Sequence, residues 1–207
     1  MSDNQKTLNS SIEFTGVGLH TGEDVHMVME PARINHGVKF QRIDLENQPI
    51  LPADINLVTD TQRSTTLEKD NVKIVTVEHL MSALYALGVN NVLIKMDSSE
   101  VPILDGSAKY FVEEIQKVGL KVQDAPLKYI DLPDPIHYTD PDSGSEILFV
   151  PTNNFIISVV LDYQNLALGT QYAEIRDLKD YSTEIAPCKT FVFLTELEKL
   201  SKANLIK

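Results

Sequence analysis

Cysteine, positive charge and long apolar runs are all scarce in this sequence, and each shortage excludes something. Among 207 residues there is one cysteine, Cys188. No disulfide can form within the chain, which fits a reducing compartment. Eighteen Lys and Arg stand against 30 Asp and Glu, a net charge of −12. A nucleic-acid binder normally carries a basic stripe, so nucleic acid is not expected as a partner. An anionic small molecule is still allowed, because a few local cations can hold a diphosphate in an acidic protein. No apolar run approaches the ~18 residues of a membrane span. The segment Met1 to Ser11 is polar and lacks the apolar stretch of a signal peptide. A soluble, cytoplasmic protein with no membrane span is expected.

What is present is a globular composition, 43% apolar. The length suits one large or two small domains. In 24–30, Val25, Met27 and Met29 alternate with His26, Val28 and Glu30, the period of a half-buried strand. Val38 to Ile43 alternates as well, after a turn at Asn35-His36-Gly37. Residues 64–68 and 72–75 read as a hairpin around Lys69-Asp70-Asn71. Val77, Leu80, Leu84 and Leu87 then give an apolar helix face, with Thr76 as its cap and Gly88 as its stop. Val92 to Met96 reads as a short buried strand. Ser107 caps a second helix with Phe111, Ile115 and Val118 inward and Gly119 at its end. Strands followed by strand and helices in this order define an α+β layered domain over 1–127.

Residues 120–127 read as a linker. A second set of strands is expected from Tyr129 to 207: 146–150, 155–161, 171–175 and a strand-like piece at 190–193. Short helical pieces are expected at 177–181 and 195–200. This half, 128–207, has no long amphipathic helix to cover its strands, and a sheet with a bare apolar face is unstable alone. It reads as the incomplete first part of a second domain, and self-association through it is expected.

Chemistry concentrates in a few places. Glu78 and His79 lie about 100° apart on a helix, so both can enter one cleft from its first turn. A neutral His can ligate zinc and a nearby Glu can take a proton from water. The plainer alternative is a helix N-terminus that favours a carboxylate, followed by a core histidine. No HExxH is present, since Ser82 and Ala83 occupy its second half. His20 and Asp24 have the spacing of helical metal ligands, but Gly22 between them favours a turn. Gly16, Gly18 and Gly22 match neither a P-loop nor a dinucleotide fingerprint and suit a tight connection between strands. Asp105-Gly106-Ser107 reads as a turn and a helix cap. Cys188 follows Pro187 with no histidine near it, which argues against a nucleophile.

Gly16-Val17-Gly18-Leu19-His20-Thr21-Gly22, Asp60-Thr61, Thr76-Val77-Glu78-His79-Leu80, Pro102-Ile103-Leu104-Asp105-Gly106-Ser107-Ala108 and Lys189-Thr190-Phe191 together resemble, in order, the bacterial zinc-dependent deacetylases of UDP-3-O-acyl-N-acetylglucosamine. The resemblance spans essentially the whole chain. It implies two similar two-layer α+β domains, of the kind seen in domain 2 of ribosomal protein S5, with the second copy incomplete here. It implies the committed step of lipid A synthesis, with a UDP-acyl-glucosamine as substrate. By motif, Glu78 corresponds to the general base and His79 to a zinc ligand. Thr190 corresponds to the hydroxyl that stabilises the oxyanion, and Phe191 to a face for the glucosamine ring. The family's remaining zinc ligands and its acid histidine lie in motifs that these residues do not contain. The expectation is therefore an N-terminal portion of the enzyme, inactive alone and without stoichiometric zinc. Some members are also fused to a hydroxyacyl-ACP dehydratase. Two rivals are a small-molecule kinase of related fold, which would need a glycine-rich phosphate loop at a helix start, and a non-catalytic sugar-nucleotide binding module.

Overall fold

The computed structural model describes residues 4–194 and 196–197. They divide into two units. One comprises the residues up to 126 together with those from 182 on; the other comprises 127–181. The sequence reading assigned everything from 128 onward to the second domain, whereas the segment from 182 folds with the first unit.

In the first unit the order is β1 (Asn4–Leu8), β2 (Ile12–Val17), β3 (Asp24–Pro31), β4 (Val38–Arg42), β5 (Ile50–Pro52), β6 (Val58–Asp60), β7 (Thr66–Lys69), β8 (Val72–Ile74), α1 (Glu78–Leu87), β9 (Val92–Met96), α2 (Lys109–Val118) and β10 (Leu120–Pro126). Its main sheet runs β2-β3-β9-β4-β5, with β4 and β9 parallel and the other pairs antiparallel. The mixed α+β class is as expected. Period-2 alternation does what it should: Val25, Met27 and Met29 are buried from β3, Phe40 from β4, and Val92, Ile94 and Met96 from β9. The helices cover this apolar face with Leu80, Ala83 and Leu84 from α1 and Phe111, Val112 and Ile115 from α2. Phe14 of β2 meets Phe111 edge to face, 5.1 Å between ring centres. Each large side chain so buried is worth about 1.5–3 kcal/mol against exposure.

Loop chemistry follows the sequence in places. β7 and β8 pair through Lys69 and Val72, leaving a two-residue turn. Asp70 and Asn71 both take positive φ there, 51° and 64°, the primed turn that matches strand twist. Gly88 ends α1 in the left-handed conformation, φ 75°.

Three expectations need correction. The polar N-terminal segment and the supposed linker are strands: β1 pairs antiparallel with β10, Lys6 opposite Val122 and Leu8 opposite Leu120. Both went unread because their inward side is partly polar. Thr7 Oγ1 donates to the Asn91 carbonyl at 2.6 Å, and Asn91 Nδ2 donates to Gln5 Oε1 at 2.9 Å and Gln123 Oε1 at 2.7 Å. Gln5, Thr7 and Asn91 are buried polar residues that satisfy one another, so no apolar alternation marks the pair. Second, Thr76 does not cap α1. Val77 occupies that position without a side-chain cap bond. Third, 190–193 is not a strand.

The second unit holds two antiparallel hairpins, β11 (Ile136–Thr139) with β12 (Glu146–Phe149), and β13 (Ile157–Asp162) with β14 (Thr170–Ile175). Strands begin at Ile136 rather than Tyr129, since Pro133 and Pro135 each remove a backbone donor before it. Every residue of β11, β12 and β13 is exposed. A short 3-10 turn at Leu178–Asp180 follows, capped by Asp177, whose side chain accepts from the Lys179 N–H. The helix expected over 195–200 lies largely outside the described residues. Among the described residues no helix is long and apolar enough to cross a membrane.

Candidate functional site

Topology collects the motifs at one end of the main sheet. β2 leaves the sheet where β3 enters it, Val17 opposite Asp24, and β9 leaves beside them, Met96 opposite Met27. α1 reaches β9 through only four residues, 88–91, so it runs back along the sheet and its first turn lies at that same end. Asn9 N–H donates to the carbonyl of Gly119, just past α2, at 3.0 Å, placing the far end of α2 beside the start of β2. Both helices thus begin where the 17–23 and 97–108 loops meet.

The glycine motif is the tight connection its composition suggested. Gly18 N–H donates to the Glu23 carbonyl at 2.9 Å, and Gly22 N–H to that of Gly18 at 3.0 Å. Gly22 has φ 66°, and Asp24 opens β3, so His20 and Asp24 share no helix. Ile103 N–H donates to Val17 O at 3.1 Å and ties this loop to the Pro102–Ala108 motif.

Glu100 holds the centre, and sequence reasoning missed it. It sits in Asp97-Ser98-Ser99-Glu100, which has the look of a solvated loop, yet its side chain is fully buried. His20 N–H donates to both carboxylate oxygens at 3.1 Å, Thr21 N–H and Oγ1 to Oε2 at 2.8 and 2.9 Å, and Thr76 Oγ1 to Oε1 at 2.8 Å. Burial works to raise its pKa; the Thr21 amide, the Thr76 hydroxyl, the His20 amide and the Thr21 hydroxyl outweigh it and hold the carboxyl below the usual range. A Cβ on Gly18 would run into the Thr21 hydroxyl and the Glu100 carboxylate, so only glycine fits there. No periodicity or spacing announces such a residue.

Thr76 has φ 59°, a left-handed conformation rare for a β-branched residue and worth roughly 1–3 kcal/mol of strain. It forms the elbow between the β8 side and α1. Val77 N–H then donates to Thr65 O at 3.3 Å, and Thr65 N–H donates to Glu78 Oε2 at 2.9 Å. One oxygen of Glu78 is thereby directed, and His79 follows it, half-buried. The Asp60-Thr61 motif leads into this loop at the end of β6, with Asp60 Oδ1 accepting from Gln62 N–H at 2.8 Å. Arg63, in the same loop, pairs with Glu196 at 2.7 Å.

At the start of α2 the turn reading holds, but Ala108 rather than Ser107 occupies the cap position, without a side-chain cap bond. Gly106 N–H donates to Ile103 O, Asp105 Oδ1 accepts from the Ser107 N–H and hydroxyl, and Ser107 Oγ accepts from Lys109 N–H at 3.2 Å. Thr190 is docked here, its N–H donating to Gly106 O at 2.8 Å, with Lys189 Nζ 3.3 Å from Asp105 Oδ2. Burial opposes ionisation of Asp105; the Ser107 hydroxyl, the Lys189 ammonium and the Ser107 amide outweigh it and lower its pKa. Beyond Thr190, Phe191 is exposed with its ring against Phe193. Cys188 is exposed, and its thiol donates to Glu184 O.

The structure therefore brings Glu78 and His79, in the first turn of α1, and Thr190 and Phe191, on the segment tied to Gly106, into one unit. Zinc can be tested against this set. A catalytic zinc takes about three protein ligands. Among the described residues no group of three or more His, Cys, Asp or Glu side chains could hold a metal ion. These residues alone do not fit a zinc site.

The class these features define is an α+β protein with a directed carboxylate–imidazole pair at a helix start. The family model of the UDP-3-O-acyl N-acetylglycosamine deacetylases (LpxC) matches residues 5–207, and the chain belongs to that family. It is 45% identical to the bifunctional enzyme LpxC/FabZ of Bacteroides thetaiotaomicron over 98% of this chain and 44% of that protein. It is 40% identical to the UDP-3-O-acyl-N-acetylglucosamine deacetylase of Chromohalobacter salexigens, over 97% of this chain and 67% of that protein. With that of Hahella chejuensis the identity is 41%, with the same coverage. The chain thus spans less than half the length of the bifunctional relatives.

Proposed function

We propose that this chain is part of a cytoplasmic deacetylase that removes the N-acetyl group of UDP-3-O-acyl-N-acetylglucosamine in lipid A synthesis. Glu78 is the general base and takes a proton from the attacking water. The tetrahedral oxyanion forms within reach of the Thr190 hydroxyl, which donates to it. Phe191 offers its exposed ring to the glucosamine. The observation that carries this is the Thr65 amide on Glu78, which directs the carboxylate without sequestering both oxygens. A loop amide aimed in this way leaves the second oxygen available for a water.

His79 contributes one imidazole to a zinc whose other ligands these residues do not supply, so no step is assigned to the metal here. The domain plan we infer is a two-layer unit over 1–127, with which the residues from 182 are grouped, and in the hairpins of 127–181 strands of a second copy of the same plan. Glu78→Ala in the full-length protein should lower deacetylation by roughly 10²–10⁴, measured as acetate release from the UDP-sugar. A non-catalytic sugar-nucleotide module would show no turnover in the parent protein either. Elemental mass spectrometry of the untagged 207-residue chain should find almost no zinc after dialysis. One zinc per chain would mean that a donor set exists beyond the one described.

A further inference from the structure

Glu100 lies outside every motif that pointed to the site, yet it joins two of them from a third loop. Its donors come from the 18–22 loop and from Thr76, two residues before α1. A buried carboxylate is costly unless its charge is answered, and here four donors answer it. Its main chain adds a second hold on the same place. Val75 N–H donates to Ser99 O at 2.8 Å, and Val101 N–H donates to Val75 O at 3.1 Å, so residues 99–101 grip the strand that leads into Thr76. Thr76 is thus held at its left-handed φ by backbone on one side and by a carboxylate on its hydroxyl. The direction of that elbow sets where α1 starts, and with it where Glu78 and His79 stand.

We propose that Glu100 is a positioning residue for the Glu78–His79 pair: by clamping Thr76 it fixes the angle at which α1 leaves the strand, and through His20 and Thr21 it locks the 18–22 loop to the same point. This rests on the deacetylase reading. Glu100 does not touch the reacting atoms; its influence passes through Thr76 and then through the Thr65–Glu78 bond.

The test uses the full-length protein carrying Glu100→Gln, which keeps the size of the side chain and removes its charge. The expected result is a kcat lower by roughly tenfold to a hundredfold, since small displacements of catalytic groups cost that much. KM should stay within about threefold, because substrate contacts are not removed. Amide exchange at Thr65 should quicken, while that at Ile94 in the core should not. Should Glu100→Gln fail to fold, Thr76→Val removes only one of the four donors and should move kcat and Thr65 exchange in the same direction by a smaller amount. A folded variant with unchanged kcat and unchanged Thr65 exchange overturns the proposal. A wild-type protein that does not deacetylate defeats the functional reading instead, and Thr65 exchange then decides on Glu100 by itself.

Discussion

The two units of this chain are built from strands of similar length and comparable apolar content, yet one is covered and the other bare. β9 and β13 make the comparison concrete. Both are rich in β-branched residues, and β9 buries Val92, Ile94 and Met96 between neighbouring strands and two helices. In β13, Val159, Val160 and Leu161 are all exposed, on a hairpin with one partner strand. Apolar sequence alone does not make a core. The difference is the supply of amphipathic helix, which 76–119 provides and 127–181 does not.

The comparison can be broken most directly by hydrogen exchange. Amides of β9 should be protected over those of β13 by on the order of a thousandfold or more, since opening free energies range from near zero to the global stability. Equal protection would mean that β13 is covered in solution. Mutation sharpens the contrast on a smaller scale. Phe40→Ala should cost about 3–5 kcal/mol in urea unfolding, against under about 0.5 kcal/mol for Val160→Ala, which stands 65% exposed. A costly Val160→Ala would again point to a hidden partner surface. The smallest effect is the acid sensitivity of the covered unit. Glu100 and Asp105 titrate below the ordinary carboxylate range when folded. They therefore contribute stability above that range, and it is lost as pH falls through their lowered values. The stability gap between wild type and Glu100→Gln should narrow as pH drops from 7 towards about 3; a gap independent of pH would count against an ionised Glu100.

Legibility in the sequence followed the same division of physics. Apolar periodicity revealed β3, β4, β9 and both helices, and glycine chemistry revealed the ends of α1 and α2. The Glu-His pair and the Lys189-Thr190-Phe191 motif were legible through family resemblance, and the 17–23 connection through its glycines. What stayed hidden is held together by polar groups. β1 and β10 meet over Gln5, Thr7, Asn91 and Gln123, and the loops of the site meet over Glu100. Hydrogen-bond partners far apart in the chain leave no local period, and a buried Glu reads the same as a solvated one until its donors are in place. Thr76 misled for a related reason. Its hydroxyl suited a helix cap, but its bond is made 24 residues away.

The pairing of β1 with β10 has a consequence for the order in which the protein is made. On leaving a ribosome β1 must wait for residues 120–126 before it has a partner, on the order of 6–22 s at roughly 5–20 residues per second. The turn before α2 waits longer still. Ala108 N–H and Gly106 O find Ala186 O and Thr190 N–H only after the bare hairpins of 127–181 have been synthesised. During translation the exposed strands β11 to β14 therefore emerge before the first unit is sealed.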